Sequence, residues 1–281
     1  MDRVIATLRG CLSQEPCANQ PCLTVGDVPA EIWEHVTAMA CDKNGCRVLQ
    51  AALDDADSLC RKAIAYAFRG RVREAIVSEH AHHVLQRIIV LVPPTTVHFI
   101  VLEIQCECST IFAAKHRFGC RVCQRVLEHF PQTLLTRFID DIVAHTLDLC
   151  AHSYGTFVVQ HLFEHGCMEH RDKMVQTLLP CLRWAARNYN AVGVVDSAMC
   201  YASLGMRYNI ATAMRQCEGL LEHVLLKRRG HGLVKRMVQT FPVHADVHTE
   251  TPPEHAPGES NETTPTIAPQ RITGALQSWK L

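Results

Sequence analysis

The feature that most constrains this chain is a recurring ten-residue phrase. NGCRVLQAAL from Asn44, HAHHVLQRII from His80, FGCRVCQRVL from Phe118, YGTFVVQHLF from Tyr154, NAVGVVDSAM from Asn190 and RGHGLVKRMV from Arg229 align without gaps. The residue after the Gly or Ala of each copy is Cys46, His82, Cys120, Thr156, Val192 and His231, at separations of 36, 38, 36, 36 and 39 residues. A period held over six copies implies that each unit buries its apolar face against its neighbours, which gives a solenoid rather than one closed core. Apolar residues fall at helical spacing, Val122, Val126 and Leu127 in the third copy and Val158, Leu162 and Phe163 in the fourth. Further amphipathic runs, Thr133 to Leu149 and Arg171 to Ala186, lie between copies. Each period is therefore expected to hold two long helices and a shorter piece, and the fold class is all-α.

Composition agrees with this and sets limits on function. Hydrophobic residues make up 48% of the 281 but aromatics only 6%, so the core must be built from Leu, Val, Ile, Ala and Cys. Met1 to Gly10 lacks the apolar centre of a secretory signal. The fifteen cysteines are thus expected in a reducing, cytoplasmic setting, mostly as small buried hydrophobes. The most apolar stretch, Val84 to Ile104, is broken by Gln86, Arg87, Pro93, Pro94 and His98, so no membrane span is expected. With 28 basic and 28 acidic residues there is no overall basic excess, and a nucleic-acid partner would need a local basic surface.

Composition also sets the expected domain boundaries. Residues 1–28, rich in Cys, Pro and Gly, read as an N-terminal arm or repeat remnant. Pro29 is expected to open the helix leading into a repeat domain over 29–242, and 243–281, rich in Pro, Thr and Glu, reads as a disordered C-terminal tail. The glycosylation-like Asn261-Glu262-Thr263 in that tail is read as accidental.

The polar residues of the repeat form columns. On a helix, residues i and i+4 share a face, so Cys46 and Gln50 stand one above the other, with Arg47 turned toward the neighbouring copy. Four copies keep a flat side chain in the middle position, Arg47, His83, Arg121 and Phe157. The same four keep the amide: Gln50, Gln86, Gln124 and Gln160. Stacked side by side, such helices can sandwich flat ligands between planar groups while Cys46, His82, Cys120 or Thr156 and the matching Gln meet their edges. This is the pattern of a single-stranded RNA reader that takes one base per helical repeat.

These segments resemble Pumilio-homology (PUF) repeats, whose second helix carries a Gly-x-x-Val-x-Gln core. Phe118 to Phe130 and Tyr154 to Gly166 are similar to the fifth and sixth repeats of the usual eight-repeat domain. Val194 to Ser203 is similar to the seventh, and Val234 to Val238 distantly to the eighth. The resemblance implies a curved α-solenoid that binds the 3′-untranslated region (3′-UTR) of messenger RNA and acts in post-transcriptional repression, with recruited regulatory proteins as further partners. It also implies antiparallel RNA. The Cys-Arg-Gln sets of the first and third copies would take adenine, and Thr156 with Gln160 and His82 with Gln86 would take uracil-like bases. In the fifth copy Gly193 cannot stack, but Asp196 could accept from a guanine edge. In the sixth, His231, Gly232 and Lys235 have lost both the flat group and the amide. The runner-up is a protein–protein scaffold with a decayed RNA face.

Two patterns have metal-ligand spacing. Cys106-x-Cys108 with His116 and Cys120-x-x-Cys123 has zinc-type spacing, but Cys120 faces the ligand side and Cys123 the apolar side. His161-x-x-Glu164-His165 has the spacing of an inverted zincin, yet the same stretch resembles an ordinary PUF repeat. No Gly-rich phosphate loop, nucleophile elbow or carboxylate pair is present, so no catalytic role, metal or cofactor is expected.

Overall fold

A computed structural model describes residues 30–226 and 230–240, and among these there is no strand. The expected arm at 1–28, the helix start at Pro29, the tail at 243–281 and Asn261 lie outside the described residues. The helices fall into triplets that follow the sequence period. The first copy holds α1 (Ala30–Cys41), α2 (Lys43–Asp55) and α3 (Ser58–Tyr66). The second holds α4 (Val72–Val77), α5 (Ala81–Leu91) and α6 (Phe99–Glu103), and the third α7 (Thr110–Lys115), α8 (Gly119–His129) and α9 (Thr136–Ala144). The fourth holds α10 (Thr146–Ala151), α11 (Gly155–His165) and α12 (Met168–Leu178). The fifth holds α13 (Leu182–Arg187), α14 (Val192–Tyr201) and α15 (Leu204–Gln216), and the sixth α16 (Leu220–Leu225) and α17 (Gly230–Thr240).

The recurring phrase forms the middle helix of each triplet. These helices, α2, α5, α8, α11, α14 and α17, pack side by side in sequence order, which makes the molecule an α-solenoid. Val84, Val122, Val158 and Val194 occupy one column and are fully buried, and Ile88, Val126, Leu162 and Ala198 form a second. Both belong to a single apolar core that runs through the copies. The run from Thr133 to Leu149 divides at His145, where Thr146 Oγ1 donates to the Val143 carbonyl at 2.7 Å and competes with the helical ladder. The run from Arg171 to Ala186 divides at Leu179–Cys181, where Pro180 has no N–H to give.

Two devices fix how each middle helix begins. A residue four places before the edge position accepts the first free N–H groups, and it is Asp42, Ser78, His116, His152 or Asn188 in successive copies. The Gly or Ala one place before the edge residue lets the preceding short helix come close. A Cβ on Gly119 would stand 2.4 Å from the Ala113 carbonyl oxygen, and one on Gly155 would stand 2.9 Å from that of Leu149. The second and fifth copies manage the same crossing with Ala81 and Ala191, both buried.

Candidate functional site

The edge residues are less open than their column position suggests. Cys46, His82, Cys120 and Thr156 are all at most 4% exposed. Each turns its polar atom toward backbone. Cys46 Sγ donates to the Lys43 carbonyl at 3.3 Å, Cys120 Sγ to that of Arg117 at 3.5 Å, and Thr156 Oγ1 to that of Asn190 in the next copy at 2.9 Å. His82 Nδ1 lies 2.8 Å from the Ser78 carbonyl.

The amide column follows the helix register. Gln50 and Gln86 donate Nε2 to the carbonyls of Cys46 and His82 at 3.2 and 3.1 Å, and Gln160 donates to Thr156 Oγ1 at 3.1 Å. Gln124 differs. It is 2% exposed, its Oε1 accepts from Arg121 Nη1 at 3.4 Å, and its Nε2 is a buried donor without a partner among the described residues. A buried amide left in that state costs about 1–3 kcal/mol, which a ligand acceptor would recover.

The flat column stands outward, with Arg47, His83 and Arg121 exposed and Phe157 half-buried. The edge, flat and amide residues of the first two copies line one groove of about 750 Å³, bounded beyond them by Arg117, Phe118 and Arg121 of the third copy. Lys43, Arg47, Arg117 and Arg121 lie along it against a single acid, Glu79. A chain of zero net charge thus carries the local basic surface that a polyanion needs. Further along, the Arg121 guanidinium carbon lies 5.7 Å from the centre of the Phe157 ring. A base held between two plates needs about 7 Å, twice a contact distance, so Arg121 must swing by little more than one ångström to admit it.

Phe118, outside the edge, flat and amide columns, also belongs to the groove. The Phe118 ring stacks on His82 with centroids 4.4 Å apart, the His83 ring lies tilted against His82 at 3.9 Å, and the Arg117 guanidinium lies 4.2 Å over Phe118. Burial pulls the His82 pKa below the ordinary histidine value. The second copy therefore presents an imidazole already stacked on a ring of the third. The signal in sequence was the aromatic residue before the glycine in Phe118-Gly119 and Tyr154-Gly155, which periodicity alone does not distinguish from a core position.

The face changes in the last two copies. Asp196, expected as an acceptor for a base, takes the Arg236 guanidinium of the sixth copy in a two-pronged contact, Nε to Oδ1 at 2.9 Å and Nη2 to Oδ2. At the flat positions, a Cβ on Gly193 would lie 3.1 Å from Gln160 Nε2, and one on Gly232 would lie 3.1 Å from Arg236 Nη2.

The residues of the two metal patterns are also placed. His116 Nδ1 is engaged as a cap and the Cys120 thiol points to Arg117, while burial pushes the Cys108 thiol up to about 11 and Cys123 well above its ordinary value. The carboxylate beside His161 comes from the preceding copy and is Glu128, whereas Glu164 is exposed. Ligand atoms of Glu128, His161 and His165 lie within 4.8 Å of one another. Glu128 already spends one oxygen on His161 at 2.6 Å and the other on Arg125 at 2.5 Å, which makes the group a tie between copies. Among the described residues, no helix is long and apolar enough to cross a membrane.

A side-by-side array of helices that repeats flat, amide and edge columns, with a basic groove along its first copies, defines a helical-repeat protein. Comparison with known proteins agrees. The model of the Pumilio-family RNA binding repeat matches residues 35–65, 77–105, 114–143 and 145–179. The chain belongs to the Pumilio (PUF) family. It is 26% identical over 193 residues to Fem-3 mRNA-binding factor 1 of Caenorhabditis elegans, across 62% of this chain and 31% of that protein. It is 23% identical over 172 residues to Pumilio domain-containing protein C6G9.14 of Schizosaccharomyces pombe, across 61% of this chain and 25% of the relative. The chain thus spans less than a third of the length of these curated relatives. Among solved structures it is similar to PUF-8 in complex with PBE-RNA, with a TM-score of 0.69 and 22% identity over 85% of this chain and 73% of that one. The Puf3 RNA-binding domain bound to a Cox17 RNA 3′ UTR recognition sequence gives a TM-score of 0.66 at 19% identity, over 75% and 64% of the two chains.

Proposed function

We propose that this protein binds single-stranded RNA sequence-specifically, with its first four copies as the readers. The observation that carries the reading is the shared groove, where two complete sets, Cys46, Arg47, Gln50 and His82, His83, Gln86, meet four basic side chains. Lys43, Arg47, Arg117 and Arg121 supply sequence-independent attraction to phosphates. Bases then stack on Arg47, His83, Arg121 and Phe157, each stack contributing about 1–3 kcal/mol. Gln50 and Gln124, with Cys46 and Cys120, select adenine. Thr156 with Gln160, and His82 with Gln86, favour uracil-like bases, the latter less firmly because His82 is already stacked on Phe118.

The physiological ligand in this reading is a messenger RNA 3′-UTR element. The protein acts in the cytoplasm, and regulatory proteins recruited to the complex repress or destabilise the message. The RNA bound by these relatives and neighbours supports the class of ligand. Selection from a random RNA pool tests it: the expected enriched core, written 5′ to 3′, is U-like, A, U-like, A, with the adenines most constant. A pool that stays random after selection rejects RNA reading in favour of a protein–protein scaffold.

A further inference from the structure

We propose that Arg236 is an internal guanine mimic that closes the fifth base position, so that removing it creates a guanine-selecting copy. The inference rests on the RNA reading above and deepens it.

The argument begins with the shape of the donors. The edge of guanine that a carboxylate recognises presents two nearly parallel N–H groups, from the ring nitrogen and the exocyclic amine. A guanidinium presents the same fork through Nε–H and Nη2–H. Asp196 stands at the amide position of the fifth copy, where the first four copies carry Gln, and both of its oxygens receive that fork. The acceptor that would read a guanine is thus filled from within the chain by a group of matching geometry and full positive charge.

The reason Arg236 reaches this carboxylate is visible in the repeat. It is the fifth residue after the edge position, as are Arg87, Arg125 and His161. Those three pair with acids at the eighth position, Arg87 with Asp54 and both Arg125 and His161 with Glu128. The eighth position of the fifth copy is Cys200. With no carboxylate there, the guanidinium takes the nearest one, a turn earlier at Asp196. Gly232 makes room for it. A Cβ at 232 would already press on Nη2 at 3.1 Å, and a planar side chain like Arg121 or Phe157 would compete for the same volume. Loss of the flat residue and capture of Asp196 are therefore two parts of one change, and the base-reading face ends at the fourth copy.

The test uses the full chain and four RNAs that differ only in the base immediately 5′ of the four-base core, which the antiparallel register sets against the fifth copy. The parent protein should bind all four within about twofold. Arg236→Met, which keeps the side-chain length but removes the fork, should favour guanine by about tenfold, and Asp196→Asn added to it should abolish the preference. Because Asp is one methylene shorter than Glu, Asp196→Glu with Arg236→Met is measured in parallel, and circular dichroism verifies that each variant keeps its helices. A guanine preference in the parent, or its absence from both Arg236→Met proteins while core binding persists, overturns the inference alone. Failure of every protein, the parent included, to bind any of the RNAs overturns the RNA reading and this inference with it.

Discussion

The ring of His82 lies parallel to that of Phe118 in the next copy, with centroids 4.4 Å apart and an angle of 12° between planes. This contact joins the second and third copies at the floor of the groove, and neither residue can be replaced without disturbing the other. A double-mutant cycle of His82→Ala and Phe118→Ala, read by denaturant unfolding, should return a coupling of about 0.5–1.5 kcal/mol. Strictly additive effects would mean that the two rings share a boundary without supporting each other.

Stacking on RNA draws on the outward column instead. Replacing Arg121 or Phe157 by Ala should weaken RNA binding by about 1–3 kcal/mol each. The helical signal should be unchanged, since Arg121 is exposed and Phe157 only half-buried. Fluorescence anisotropy with a short labelled RNA measures this. Affinity unmoved in both variants would assign the groove to another partner.

Acid should weaken the fold through the histidines. Burial is the first cause that lowers the pKa values of His82, His116 and His152 in the folded chain, and His116 and His152 also use an unprotonated Nδ1 to cap α8 and α11. A base with a lowered folded pKa binds protons more readily when unfolded, so stability is fully present above the unfolded value of 6.5 and is lost as pH falls below it toward the folded values. The melting temperature should therefore drop between pH 7 and pH 5.5. His116→Asn with His152→Asn, which supplies the cap that Asn188 provides in the fifth copy, should flatten that slope. An unchanged slope in the double variant would remove the caps from the explanation.

The features legible in sequence and those that were not divide along a physical line. Val84, Val122, Val158 and Val194 repeat one apolar position at one phase, and burial of such a column follows from period alone. The caps escaped notice because Asp42, Ser78, His116, His152 and Asn188 share no size or charge. They share only an acceptor that reaches forward onto the N–H groups two and three residues later, a property of geometry more than of residue type. The pairing of Asp196 with Arg236 was hidden for a different reason. Forty residues separate the partners, and the contact arises because a third residue, Cys200, fails to supply the usual carboxylate. Asp196 read alone looks like an available acceptor.

Gln124 offers the most direct test of the claim that these helices read bases one by one, since its Nε2 is buried without a partner among the described residues and its neighbour Cys120 stands one turn before it. Gln124→Glu with Cys120→Ser turns an amide donor suited to adenine into a carboxylate that accepts from the N–H groups of guanine. In a competition titration against RNAs that differ only at the base facing the third copy, the parent should prefer adenine and the double variant guanine, each by about tenfold, with the other positions unchanged. A double variant that folds, binds and still prefers adenine would contradict the assignment of this helix as a reader.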